Sequence, residues 1–138
     1  MQPPLIPPLE YQLPFVGNFY CDETEARMLT GRDALDARAQ VLLEAGPGTV
    51  ILKQGASGAT AFGKGTVVHQ PPVVLGDLVD SIGAGDAFDA GCLLGVLEGW
   101  PVEKCVRFAA TAAGFTLAGV GGSSTFPSRK LIEETLGS

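Results

Sequence analysis

Asp80-Ser81-Ile82-Gly83-Ala84-Gly85-Asp86-Ala87-Phe88 is the stretch on which the reading of the whole chain turns. Two glycines bracket an alanine, an acid stands on each side, and an apolar run of helical character, AFDAGCLLGVLEG over 87–99, begins at once. A Gly-rich turn feeding a helix exposes backbone N–H groups beside the positive end of the helix dipole, which makes an anion site. Asp86 falls in the first turn of that helix, next to whatever anion binds. A carboxylate there is poor design for holding an anion, but it suits taking a proton from a nucleophile that attacks a phosphate. The structural alternative is a tight turn ahead of a buried helix. Neither Gly-x₄-Gly-Lys-Ser/Thr nor Gly-x-Gly-x-x-Gly occurs, so the commonest competing phosphate folds lack their motif.

Around this stretch the chain reads as a globular protein. With 138 residues it is one domain on length alone, and 46% hydrophobic against 17% charged residues rules out a disordered composition. A net charge of −6, with Arg27, Arg32, Arg38, Arg107 and Arg129 scattered, argues against a nucleic-acid partner. Cys21, Cys92 and Cys105 have no metal-type spacing and read as reduced, buried thiols of a cytoplasmic protein. No signal peptide and no apolar run of bilayer-spanning length is present, so no membrane association is expected. There is no His/Cys nucleophile arrangement of the triad type. The only histidine, His69, sits in a strand-like run and reads as a surface or structural residue.

In chain order, residues 1–12 are a Pro-rich leader or truncated start, and 13–138 form the folded part. Leu13 to Tyr20 reads as a strand or buried connection. Asp22-Glu23-Thr24-Glu25 opens a helix to about Thr30, stopped by Gly31. Asp33 is positioned to cap a second helix to about Ala45, with Leu35, Ala39, Leu42 and Leu43 on its apolar face. Thr49–Leu52 is a buried parallel strand, Gly55 and Gly58 make a turn, and Ala59–Phe62 with Thr66–Gln70 form a hairpin around Gly63-Lys64-Gly65. The helix after Asp86 is apolar nearly all round and is expected to be buried on most sides, with Gly91 and Gly95 allowing a close neighbour. Pro101 opens the next helix, in which Val102, Val106, Ala109 and Ala113 share a face, with Glu103, Lys104 and Arg107 outside. Gly114 to Thr125 reads as a Gly/Ser-rich connection, and a last helix runs from Arg129 to Leu136. Alternating strands and helices imply an α/β layered fold with a mostly parallel sheet.

With these residues in view, the chain resembles the ribokinase-like (PfkB) family of sugar kinases. Asp80-Ser-Ile-Gly-Ala-Gly-Asp86-Ala-Phe-Asp-Ala-Gly91 is similar to that family's C-terminal signature. Asp22-Glu-Thr-Glu25 resembles its Asn-x-x-Glu segment, and Lys53-Gln-Gly55-Ala-Ser-Gly58 resembles its nucleotide loop, in the family's order. The resemblance implies a ribokinase-like three-layer αβα fold, truncated on its N-terminal side. It implies that Asp86 deprotonates a sugar hydroxyl and that the amides of Gly83, Ala84 and Gly85 form the anion hole. Glu25 is implied to hold Mg²⁺ through water, with Asp22 near the nucleotide phosphates. Lys53, Gly55, Ser57 and Gly58 are implied to contact ATP, though Lys53 taken alone is more often a solvated strand-end charge. Asp80, Ile82, Thr116, Gly119, Gly121 and Thr125 match the positions of a monovalent cation such as K⁺.

Several residues depart from the family pattern. Asp22 stands where Asn or Ser is usual, which either brings a carboxylate toward Mg²⁺ or weakens nucleotide binding. Ser81 replaces Thr, Asp89 replaces Asn, Cys92 replaces a bulkier apolar residue, and Ala110 lies where many members have Asn. The family's N-terminal half, with its glycine-pair signature, sugar-contacting acid and β lid, has no counterpart here, and its absence leaves an open sheet edge. The implied function is an ATP-dependent phosphotransferase acting on a sugar hydroxyl. The alternative is a truncated nucleotide-binding module without kinase activity of its own; a third reading pairs the chain with a separate N-terminal half or with a second copy of itself.

Overall fold

The computed structural model describes residues 17–63, 65–78, 83–119 and 127–137. The Pro-rich segment 1–12, the first residues of the Leu13–Tyr20 run and Lys64 lie outside them. The described residues gather into two compact units, one of residues up to Gly55 with Ala59–His69, the other of Ala56–Gly58 with the chain from Gln70 onward.

The first unit is built on a sheet of four strands in the order β1-β2-β3-β4. β1 (Asn18–Asp22) runs directly into α1 (Glu23–Thr30), and α2 (Leu35–Glu44) leads back to β2 (Thr49–Lys53). β1 and β2 are parallel, Asn18 opposite Thr49 through Asp22 opposite Lys53. This crossover supplies the one pair shown parallel among the described residues, whereas a mostly parallel sheet was expected, because the tight turn after β2 sends the next strand back antiparallel. β3 (Ala59–Gly63) then pairs antiparallel with β2, and β4 (Thr66–Gln70) follows as the second arm of the expected hairpin. Val50, Ile51 and Leu52 are all buried, so β2 is covered on both faces, as its unbroken β-branched run requires. Cys21, Ala26, Ala39, Leu42, Val50, Leu52 and Phe62 form one core, with Leu35 and Leu43 packed against it.

Gly31 ends α1 in the left-handed conformation (φ 68°), its N–H donating to the Arg27 carbonyl at 2.8 Å. The start of α2 differs from expectation. Its N-cap is Ala34, without a side-chain cap, and Asp33 instead faces Arg27 Nε at 3.4 Å. The helix begins one residue too late for the Asp33 carboxylate to reach its free N–H groups.

The second unit is a helical hairpin with a short third helix. α3 (Ala84–Glu98) packs along α4 (Val102–Leu117), and α5 (Arg129–Thr135) follows, capped by Ser128 Oγ accepting from Leu131 N–H. Gly91 and Gly95 do permit the close approach expected of them. A Cβ on Gly91 lies 2.8 Å from Ala109 Cα, and one on Gly95 lies 2.5 Å from Cys105 Sγ. Gly91→Val is therefore expected to push the two helices apart and to destabilise the fold by about 2–3 kcal/mol, read as a lower urea midpoint in Trp100 fluorescence.

Close approach has a consequence the helical pattern did not predict. Small side chains (Ala87, Gly91, Cys92, Gly95) and Phe88 are buried on α3, while Leu93, Val96 and Leu97 are exposed, Leu97 by 77%. The helix is thus apolar all round but buried on one side only, because the narrow seam against α4 admits small residues and turns Leu93 and Leu97 outward, while Leu94 packs against the core. On α4, Val106 and Ala109 are buried and Glu103, Lys104 and Arg107 exposed, as expected. The expected connection from Gly114 begins later, since α4 continues to Leu117. Gly114 is held inside the helix because the Val73 backbone presses against it, leaving no room for a Cβ.

Trp100, in the turn between α3 and α4, stacks edge-on with Phe108 at 5.2 Å, while Lys104 Nζ and Arg129 Cζ lie over its ring at 4.2 and 5.4 Å. Arg129 also bridges Glu98 (2.5 Å) and Glu133 (2.8 Å), which ties α5 to the end of α3. The three cysteines are buried and form no disulfide, in line with the sequence reading. Burial pushes the Cys105 thiol up from its ordinary value, against the smaller opposing effect of a backbone hydrogen bond, so the protonated thiol is favoured over the thiolate. No helix among the described residues is long and apolar enough to cross a membrane.

Candidate functional site

The GAGD stretch forms the start of α3. Gly83 is the N-cap, in the left-handed conformation (φ 87°), and among the described residues no side chain caps the helix. Ala87 N–H donates to the Gly83 carbonyl at 2.8 Å, so the intrahelical ladder begins only at Ala87. The N–H groups of Ala84, Gly85 and Asp86 precede it and have no helical acceptor. Most helices answer these donors with a Ser, Thr, Asp or Asn at the cap. Glycine there offers them no side-chain acceptor, which suits an external anion at the end of a 15-residue dipole. Asp86 is exposed in this first turn. Gly85 beside it is exposed as well, so the backbone is accessible where the carboxylate stands.

Thr116 comes up to this turn from α4. A Cβ on Gly83 would lie 3.8 Å from Thr116 Cγ2. Thr116 belongs to the last turn of the helix, its hydroxyl donating to the Ala112 carbonyl at 3.1 Å and its carbonyl accepting from Gly119 N–H at 3.0 Å. Gly119 follows with φ 75°. Of the expected cation positions, Thr116 and Gly119 are thus near one another; Asp80, Ile82, Gly121 and Thr125 lie outside the described residues, as does Ser81.

The remaining candidates in the first unit gather at the C-terminal ends of the parallel strands β1 and β2, where open α/β sheets bind their ligands. Asp22 ends β1 directly beside Lys53, which ends β2. Asp22 is also the N-cap of α1: its Oδ1 accepts from Glu25 N–H at 2.7 Å, and Glu25 Oε1 accepts in return from Asp22 N–H at 3.0 Å. This is a reciprocal capping box, and it accounts for Asp at a position where Asn or Ser is usual, since all three cap equally well. The sequence reading missed it, although Asp-x-x-Glu ahead of a helical run is its signal. One oxygen of each carboxylate is committed to the cap, and both residues are exposed. No cluster of three or more His, Cys, Asp or Glu suited to a metal occurs among the described residues.

After Lys53 the chain enters a 3₁₀ turn at Gly55–Ser57, with Gly55 at φ 55° and Gly58 at φ 91°. Gly55, Ala56 and Ser57 are exposed. A Cβ on Gly55 would meet nothing within 4 Å, whereas one on Gly58 would collide with the Gln70 carbonyl and the Pro71 backbone.

Comparison with known proteins decides the family. The family model for pfkB family carbohydrate kinases matches residues 13–129. The chain belongs to the PfkB family. Ribokinase of Arabidopsis thaliana is 31% identical over 121 residues, 83% of this chain and 32% of its own length. Deoxyribokinase of Salmonella typhi is 33% identical over 124 residues, 86% of this chain and 40% of its own. The solved structure of Arabidopsis thaliana ribokinase complexed with ribose and ATP superposes with a TM-score of 0.82 at 29% identity, covering 92% of this chain and 43% of that one. The fold of this PfkB-family chain is therefore ribokinase-like α/β, and it spans well under half the length of these relatives.

Proposed function

We propose that this chain carries the phosphoryl-transfer part of an ATP-dependent carbohydrate kinase, with Asp86 as general base. The observation that carries the reading is the uncapped start of α3: open N–H donors at a helix N-terminus with an exposed carboxylate in the same turn. The relatives' names support it, since they are kinases of ribose and deoxyribose, and the Arabidopsis structure holds ribose and ATP.

When bound, Mg-ATP supplies the phosphoryl group and a cation that neutralises its oxygens. Asp86 takes the proton from a primary hydroxyl of the sugar as that oxygen forms its bond to the γ-phosphorus and the bond to the β-bridging oxygen breaks. The amides of Gly83, Ala84 and Gly85 hold the equatorial oxygens as charge develops on them, Ala84 and Gly85 being two of the three first-turn donors without a helical acceptor. Glu25 has one uncommitted carboxylate oxygen, which fits a magnesium ion that keeps most of its water and takes few protein ligands. Asp22, Lys53, Gly55, Ser57 and Gly58 hold the nucleotide. Thr116 and Gly119 with Asp80, Ile82, Gly121 and Thr125 form the monovalent-cation set. Residues 13–138 are the catalytic part and the site of this chemistry is cytoplasmic.

The chain spans 32% of the Arabidopsis relative's length, and the second reading is a nucleotide-binding module without turnover of its own. Calorimetric titration of Mg-ATP, beside a coupled assay with ribose and deoxyribose, tests both. Binding with turnover is the expected result, binding without turnover selects the module, and no binding overturns the kinase reading.

A further inference from the structure

We propose that Gln54 donates a hydrogen bond to the nucleotide, with Thr60 and His69 as positioning residues that hold its carboxamide in one orientation. The inference rests on the reading of Lys53–Gly58 as a nucleotide loop and adds to it a residue that the glycine pattern does not mark.

Gln54 leaves the end of β2 immediately before Gly55. Its Oε1 accepts from Thr60 Oγ1 at 2.5 Å, and the same Thr60 oxygen lies 2.9 Å from His69 Nδ1. Thr60 stands on β3, only 4% exposed, and His69 on β4, so the three side chains link the ends of three strands. A threonine hydroxyl has one hydrogen. Since that hydrogen goes to Gln54, Thr60 must accept from His69, which fixes the imidazole with its proton on Nδ1. A primary amide whose oxygen is held in this way has its NH₂ aimed in the opposite sense. Among the described residues no hydrogen bond uses the Gln54 NH₂ group, and Gln54 is only half-buried, beside the exposed turn Gly55–Ser57. The group left over is a pair of oriented donors at the mouth of the loop, and the matching ligand chemistry is an acceptor atom of a nucleotide, either a phosphate oxygen or a base nitrogen. A free glutamine would lose rotamer entropy on making that bond; the relay removes most of that cost in advance.

Two measurements test the inference on the intact chain. Because His69 is the only histidine, a long-range ¹H–¹⁵N correlation spectrum in alkaline buffer reports its tautomer without assignment. The Nδ1–H form is expected; the Nε2–H form would mean that Thr60 donates to His69 and would overturn the relay. Mg-ATP affinity is then measured for the parent, Gln54→Leu, Thr60→Val and Thr60→Ser, with Trp100 fluorescence verifying the fold. Gln54→Leu and Thr60→Val are expected to weaken binding roughly 3- to 10-fold, while Thr60→Ser, which keeps the hydroxyl, restores parental affinity. The same series with Mg-tripolyphosphate separates the two sources: weakening with both ligands assigns the contact to phosphate, weakening with ATP alone to the base. Parental affinity in Gln54→Leu overturns the inference while leaving the kinase reading intact. A parent chain that takes up no Mg-ATP overturns the nucleotide reading of the loop and the inference with it.

Discussion

Asp86→Asn is expected to lower sugar phosphorylation by roughly 10²–10⁴-fold, the range a positioned general base contributes, while leaving Mg-ATP affinity at the parental level. The substitution keeps the size and the hydrogen-bonding edge of the side chain and removes only the basic oxygen. The N–H donors of Ala84 and Gly85 are backbone groups set by Gly83 (φ 87°), so they survive it. Folding is little affected too, because an exposed first-turn carboxylate contributes only about 0.3–1 kcal/mol through the helix dipole. The diagnostic is the split: turnover falls steeply, nucleotide binding does not. Removing a carboxylate that stands near phosphate oxygens would even favour binding slightly. Equal loss of both would mean that Asp86 acts on structure, and unchanged turnover would assign the base elsewhere.

Gly58→Ala should destabilise the fold by about 3 kcal/mol or more, combining a left-handed backbone with a backbone collision. Gly58 sits at φ 91°, a region that L-residues rarely adopt. The added Cβ meets the Gln70 carbonyl and the Pro71 backbone, neither of which can rotate away as a side-chain tip would. The hairpin arm ending at Gln70 would have to shift. Urea unfolding followed by Trp100 fluorescence measures the loss. Gly55→Ala is the control: its φ is also positive, at 55°, but a Cβ there meets nothing within 4 Å, so its cost is the smaller conformational one, about 1–2 kcal/mol. Equal midpoints for the two variants would show that the collision at Gly58 is relieved by loop movement.

How much of this was legible beforehand differs from one element to the next. β2 was readable because Thr49-Val50-Ile51-Leu52 can only be a strand buried on both faces, and α1 because Asp22, the first-turn acids and Gly31 mark both its ends. The end of α4 was not, since Gly114 looks like a terminator in sequence. Only the Val73 backbone lying against it explains a glycine inside the helix. The outward-facing leucines of α3 were hidden for a related reason. A helix apolar on every side carries no periodic signal, so which face is buried depends on the partner helix.

The site divides the same way. The sequence by itself determined the family, the uncapped GAGD turn and the order of its companion segments, because glycine conformation and helix-end chemistry are local properties written into neighbouring residues. Only the tertiary structure decided what those residues are joined to. Asp22 and Lys53 are 31 positions apart in the chain yet side by side at the ends of two parallel strands. Gln54, Thr60 and His69 form one hydrogen-bonded line only because the hairpin folds β3 and β4 back past the end of β2. Register and hairpin pairing are long-range outcomes of burying apolar faces, and no local pattern specifies which polar side chains they bring together.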